Sequence, residues 1–170
     1  MMLNEPKARS ILEAAHAAWS RQDFEEMLDL YHDDIVYYSN AGGIGGNVLK
    51  LYGKEEMRAF LLPVMNVADC ISLPLTFNYR DDVGRAQAQI VIRHRESGMN
   101  LEATCRQFVN FQDFKIIVHE EFHDAERMRA FWALVQGTQT ATSKSKTMVS
   151  RMLSEALGLQ PRLPSQSNDE

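Results

Sequence analysis

The run His119-Glu-Glu-Phe-His123 and the run before it, with Arg106 and Asn110, hold the residues whose types could do chemistry. Side chains alternate across a strand, so His119, Glu121 and His123 share one face. On the run 99–112, Glu102, Thr104, Arg106, Phe108 and Asn110 share one face. Leu101, Ala103, Cys105, Gln107, Val109 and Phe111 share the other. Alternation groups these residues without choosing the inner face, and a slip of one residue inverts the assignment. His119 is a proton shuttle near neutrality. Glu121 is a base or fixes the imidazole tautomer. Arg106 and Arg93 offer planar forks of donors to a carboxylate, phosphate or enolate oxygen, and Asn110 can orient a carbonyl. Such a set suits proton abstraction beside a carbonyl, aldol-type cyclisation or dehydration. A purely structural Arg106–Glu121 ion pair is the competing reading. His119 and His123 stand roughly 13 Å apart on an extended strand, too far to share an ion. No metal site is expected. No cofactor is expected either: the glycines of 42–46 lack the lysine and hydroxyl of a phosphate loop and read as a lip over a pocket mouth.

Positioning these residues takes helices followed by a sheet. Ala8, Ile11, Leu12, Ala15, Ala18 and Trp19 recur at helical spacing, predicting a helix from about 6 to 21. Asp23 and Glu26 form a capping-box-like pair opening a second helix to about Tyr31. A strand is expected after Asp33-Asp34, which shape the turn. Met57, Phe60, Leu61, Val64 and Met65 mark a third helix, bent at Pro63. From Ile71 the period becomes two, with strands expected at about 71–80, 84–96, 99–112 and 115–123. A last helix carries Met128, Phe131, Trp132 and Val135. The polar run 138–146 reads as a linker, Val149 to Leu157 as a short amphipathic helix, and the end from Gln160 as disordered. The expected division is a domain over 1–136 and an appended segment over 137–170. Helices before a long antiparallel sheet make an α+β pattern, and helices over a bent sheet leave a blind pocket.

Net charge is -5. Lys144, Lys146, Arg151 and Arg162 outnumber Glu155, Asp169 and Glu170 in the tail by one, so the negative charge lies in the body. An acidic body argues against nucleic acid as a partner. The N-terminus has no long apolar run, so neither a signal peptide nor a membrane partner is expected. Two cysteines, Cys70 and Cys105, read as free buried thiols in a reduced cytoplasm.

Three segments carry a resemblance. Trp19-x3-Asp23-x4-Leu28-x2-Tyr31-x-Asp33-Asp34, Gly53-Lys-Glu-Glu-Met-Arg-Ala-Phe60 and Phe114-Lys-Ile-Ile-Val-His-Glu-Glu-Phe-His-Asp124 together resemble the SnoaL-like branch of the NTF2-like superfamily, over roughly 5–135. The resemblance implies an α+β, cystatin-like cone: a curved antiparallel sheet with N-terminal helices covering a pocket. It also implies a small-molecule ligand and homodimers through the outer sheet. The family includes ketosteroid isomerases, polyketide cyclases, epoxide hydrolases and dehydratases, so fold does not give function. Alignment with the family turns Arg106, Phe108 and Asn110 inward, with His119, Glu121 and His123 on the next strand and Gln89, Val91 and Arg93 on the previous one. Trp19, Tyr37 and Phe60 complete the wall. Steroid isomerisation is disfavoured, because Ser39 stands at the base position, Ala15 at the tyrosine and Arg106 at the sheet acid. An epoxide hydrolase would pair Glu121 with a second acid and an arginine, yet Arg85 and Arg93 are followed two residues on by Gln87 and Arg95. The expectation is acid–base chemistry centred on His119, Glu121 and Arg106, with a non-catalytic dimeric module as the alternative.

Overall fold

Asn4 starts α1 (Glu5–Ser20) by accepting the Lys7 N–H at 3.1 Å, with Pro6 in the first turn where a missing N–H costs nothing. The computed structural model describes residues 3–137; the expected linker, amphipathic helix and disordered end lie outside them. α1 buries Ala8, Ile11, Leu12, Ala15, His16 and Ala18 as one stripe. Gln22, at φ 63, turns the chain into α2 (Phe24–Asp29). Asp23 caps α2 through the Glu26 N–H at 3.0 Å. The reciprocal half of the expected capping box is missing, because the Glu26 carboxylate instead accepts from Arg21 at 2.7 Å.

β1 (Tyr31–Gly42) begins earlier than the acid pair suggested. Tyr31 already pairs with Ile116, and the register shifts before Val36, so the strand carries exposed Asp33 and Asp34 on an irregularity rather than starting after them. Lys54 holds Asp33 at 2.8 Å. β2 (Asn47–Tyr52) returns beside β1, and α3 (Gly53–Val67) continues through Pro63. Then come β3 (Ala68–Arg80), β4 (Val83–His94), β5 (Asn100–Gln112) and β6 (Lys115–Phe122). Residues 125–137 form α4.

The six strands make one curved, unclosed mixed sheet in the order β2-β1-β6-β5-β4-β3. Four seams are antiparallel, and the β1–β6 seam is parallel, since β6 comes back beside β1 after the whole meander. No described helix is long and apolar enough to cross a membrane.

The β5–β6 register decides which side chains enter the cone. Asp113 and Phe114, both at positive φ, make the connecting turn, and Gln112 pairs with Lys115. Continued without interruption, that hairpin would pair Arg106 with Glu121. Instead Phe111 pairs with Ile116 and Asn110 with Val118, leaving Ile117 as one extra residue in β6. Beyond this bulge Gln107 faces Glu121 and Val109 faces His119. Paired residues share a face, so Cys105, Gln107 and Val109 turn inward and Arg106, Phe108 and Asn110 outward. Register carries the inversion into β4: Ala86, Ala88, Ile90 and Ile92 are buried, and Arg93 is exposed.

The apolar interior falls into two clusters. One joins α1, α2, β1 and the start of α3 around Leu12, Leu28, Ile35 and Met57. The other joins the end of α3, β3, β4 and α4 around Cys70, Ile90, Phe131 and Trp132. Gly84 lets the sheet close over the first: a Cβ there would stand 2.6 Å from the Val109 Cγ2 and 2.9 Å from Phe77. Gly84→Ala should therefore destabilise the fold by about 1–3 kcal/mol through overpacking. Urea unfolding would show this as a lower midpoint at unchanged slope, and an unchanged midpoint would refute the close approach.

Candidate functional site

Adjacent cross-strand pairs assemble the polar centre. Tyr37, His119 and Val109 line up across β1, β6 and β5, and Ser39, Glu121 and Gln107 form the next row. Glu121 is the hub. Its Oε2 accepts from the Tyr37 hydroxyl at 2.7 Å and lies 3.2 Å from His123 Nε2. Its Oε1 accepts from Gln107 Nε2 at 3.0 Å and stands 3.4 Å from His119 Nε2. Among the described residues no lysine or arginine pairs with it. His123, just past the end of β6, is fixed by two bonds between its backbone and the Asn40 side chain. Because it leaves the extended strand path, both histidines flank one carboxylate.

A directed chain extends from the hub to α1. The Gln107 amide donates to Glu121, so its oxygen accepts from His16 Nε2 at 2.9 Å. His16 Nδ1 then accepts from the Ser72 hydroxyl at 2.6 Å. On the other side, the Tyr31 hydroxyl meets His119 Nδ1 at 2.7 Å, the two rings stacked with centroids 5.9 Å apart. A carboxylate 3.4 Å from Nε2 disfavours a lone pair there, so His119 carries its proton on Nε2 and accepts from Tyr31 at Nδ1.

Burial sets the charges. It pushes His119, 3% exposed, down to about 4, against the raising effect of Glu121. His16 is lowered for the same reason. Burial alone would raise the Glu121 carboxyl, but the His123 hydrogen bond, the neighbouring imidazoles and Tyr37 hold it well below the ordinary carboxylate range. Tyr31 and Tyr37 are raised by burial and by the Glu121 charge. At neutral pH the Glu121 carboxylate is ionised, and His16 and His119 are neutral.

This centre opens on a cavity of about 100 Å³. Its wall is largely apolar, with Trp19, Met27, Met57, Leu61, Ile90 and Trp132 among the lining residues. Of the residues expected from sequence, Trp19, Tyr37, His119, Glu121 and His123 line it. Arg106 and Arg93 do not: both are exposed on the outer face. Phe108 packs outside against Phe122, with centroids 5.8 Å apart. Asn110, on the same outer face, donates to the Asp82 carbonyl at 3.1 Å. Phe60 is 52% exposed, at the edge of the α3 stripe. Sequence reasoning missed His16, Tyr31, Ser72 and Gln107 as polar members. A signal existed for two of them. His16 follows Leu12 by four residues within an apolar helical stripe, and Gln107 interrupts the apolar alternation of 101–111.

The titrations predict a pH dependence. Both histidines have folded pKa values below the unfolded value of about 6.5, so between the two the unfolded chain binds more protons. Their contribution is full above about pH 6.5 and falls below it, that of His119 until pH nears 4, by up to about 1.4 kcal/mol per pH unit for each histidine. The share due to Glu121, whose folded pKa is depressed, persists lower and fades only below about pH 4.3. Urea midpoints between pH 7 and 4.5 check this, and a flat profile would contradict neutral burial of His16 and His119.

The family described as SnoaL-like domain matches residues 12–119. No curated protein matches. Among solved structures, TerC co-crystallised with polyporic acid is 18% identical, with 75% of this chain and 98% of that chain covered at a TM-score of 0.65. An NTF2-like protein of unknown function from Burkholderia pseudomallei is 14% identical, covering 74% and 96% at 0.63. An LEH-like epoxide hydrolase from M. tuberculosis is 12% identical, covering 81% and 98% at 0.62. At these identities the likeness is one of fold.

Proposed function

Since the chain belongs to the SnoaL-like domain family, we propose that its cone binds a small carbonyl-containing molecule and removes a proton from the carbon beside the carbonyl. The observation that carries this reading is Glu121: an ionised carboxylate facing an apolar cavity beside a neutral imidazole N–H. A carboxylate base paired with a neutral imidazole donor suits enolisation, the first taking the proton and the second stabilising the developing oxyanion. Tyr31 keeps His119 in the donating tautomer, and Tyr37 and Gln107 aim the carboxylate.

The strong hold on Glu121 also bears on the substrate. A carboxylate with several donors is a weak base, so it matches a carbon acid already activated, such as a carbon between two carbonyls. The enolate so formed can reprotonate elsewhere, attack a second carbonyl or expel a leaving group. Isomerisation, cyclisation and dehydration all begin there. The ligand is neutral in this reading, because the arginines that would have favoured an anion lie outside and the cavity already holds one negative charge. Epoxide opening is less favoured, since among the described residues no arginine stands beside Glu121.

Deuterium exchange into ethyl acetoacetate in D2O tests the reading directly. The wild-type protein should accelerate exchange at the central carbon, and Glu121→Gln should lower that acceleration by about 10²-fold or more. Equal rates for the two proteins would sink the proposal.

The outer face supports a second element of the reading, a homodimer through the sheet. Tyr38, Phe122 and Phe108 form a chain of ring contacts there, and Ile71 and Leu73 are 43% and 49% exposed. Light scattering should give twice the chain mass, and Phe108→Arg should shift the population to monomer. A monomeric wild type would rule this assembly out.

A further inference from the structure

The cavity has a polar group that the proposed chemistry does not use. Trp132 is 1% exposed, and its Nε1 has no hydrogen-bond partner among the described residues. Buried indole N–H groups usually find one. Two other buried side-chain atoms share this condition, His119 Nε2 and His123 Nδ1. All three residues line the same cavity. Orphans left by imperfect packing would be scattered through the core; three whose residues line one cavity point to a ligand.

The three do not come from one side. His119 belongs with the Tyr31–Tyr37 group, whereas Trp132 belongs to the cluster of α4, β3 and β4. α4 is also well seated. Asp124 caps its first turn, accepting the Arg127 N–H at 3.1 Å. Gly46 lies so close beneath it that a Cβ there would come within 3.0 Å of the Arg129 nitrogen. Phe131 packs edge-on against Trp132 with centroids 5.2 Å apart. The indole is therefore held in place before any ligand arrives. α4 also lies beyond the segment matched by the family, which ends at 119.

We propose that the Trp132 indole N–H is a second ligand anchor, and that the cavity selects molecules with two separated hydrogen-bond acceptors, one meeting His119 and the other Trp132. The inference rests on the enolisation reading for its first anchor, while the second has its own readout. Trp132 is a specificity residue and takes no part in proton transfer.

The test uses the full-length protein and two probes with the same ring, cyclohexane-1,4-dione and cyclohexanone. In a titration followed by ¹H–¹⁵N NMR, the indole resonance of Trp132, assigned by its loss in Trp132→Phe, should move downfield with the dione. It should move much less with the monoketone. The dione should bind more tightly, and Trp132→Phe, which keeps the ring and removes the N–H, should reduce that preference roughly 3- to 10-fold. A cavity water satisfying the indole would not distinguish one acceptor from two. An indole resonance unmoved by the dione up to its solubility limit, or an unchanged preference in the variant, would overturn the proposal. Exchange into ethyl acetoacetate by Trp132→Phe separates the two readings. Exchange that persists while the indole stays unmoved leaves Glu121 as base and removes Trp132 as anchor.

Discussion

A carboxylate inside an apolar cone, with no ammonium or guanidinium beside it among the described residues, must be held by hydrogen-bond donors or give up its charge. The polar architecture of this protein follows from that constraint. Glu121 is charged because Tyr37, Gln107 and His123 donate to it. Gln107 can present its amide N–H because His16 occupies its oxygen, and His16 is oriented in turn by Ser72. Four strands and α1 thus contribute to one charge. Each partner in the chain is fixed in tautomer or rotamer by the next, so the network specifies a single arrangement of the interior.

The same constraint explains why the outward arginines are compatible with the site. An inward Arg106 would form an ion pair with Glu121, neutralise its charge and fill the cavity. With hydrogen-bond donors the carboxylate keeps its charge and faces open volume. The weak basicity that results is the physical reason for proposing an activated carbon acid as substrate.

Much of the fold was legible in the sequence. The helical stripes of α1 and α3 and the period of two after Ile71 correspond to the observed elements, and the three motifs placed the chain in its family. Boundaries shifted where pairing overrode local chemistry, as at Tyr31, where the parallel seam with β6 extends the strand through the acid pair. The site was half legible. His119, Glu121, His123, Tyr37 and Trp19 were recognised as facing one another. Arg106, Arg93, Phe108 and Asn110 were assigned to the wrong face because one extra residue, Ile117, inverts the hairpin partner. Phe60 was assigned to the wall because it lies at the edge of its stripe. Nothing in a period-two pattern marks a bulge when the residues around it, Ile116-Ile117-Val118, are all apolar.

What the sequence by itself determined is the class of the chain, its helices and strands, and the types of group available for chemistry. Periodicity and capping are local properties and can be read one segment at a time. What only the tertiary structure decided is which of those groups meet. His16, Ser72, Gln107 and Glu121 come from α1, β3, β5 and β6, and their contact depends on sheet order, on a parallel seam and on a one-residue register shift. The charge state of the centre depends on burial, which belongs to the assembled interior and to no single segment. The carboxylate proposed as the base was thus readable from the chain, but its environment, and with it the reaction proposed for it, came from packing.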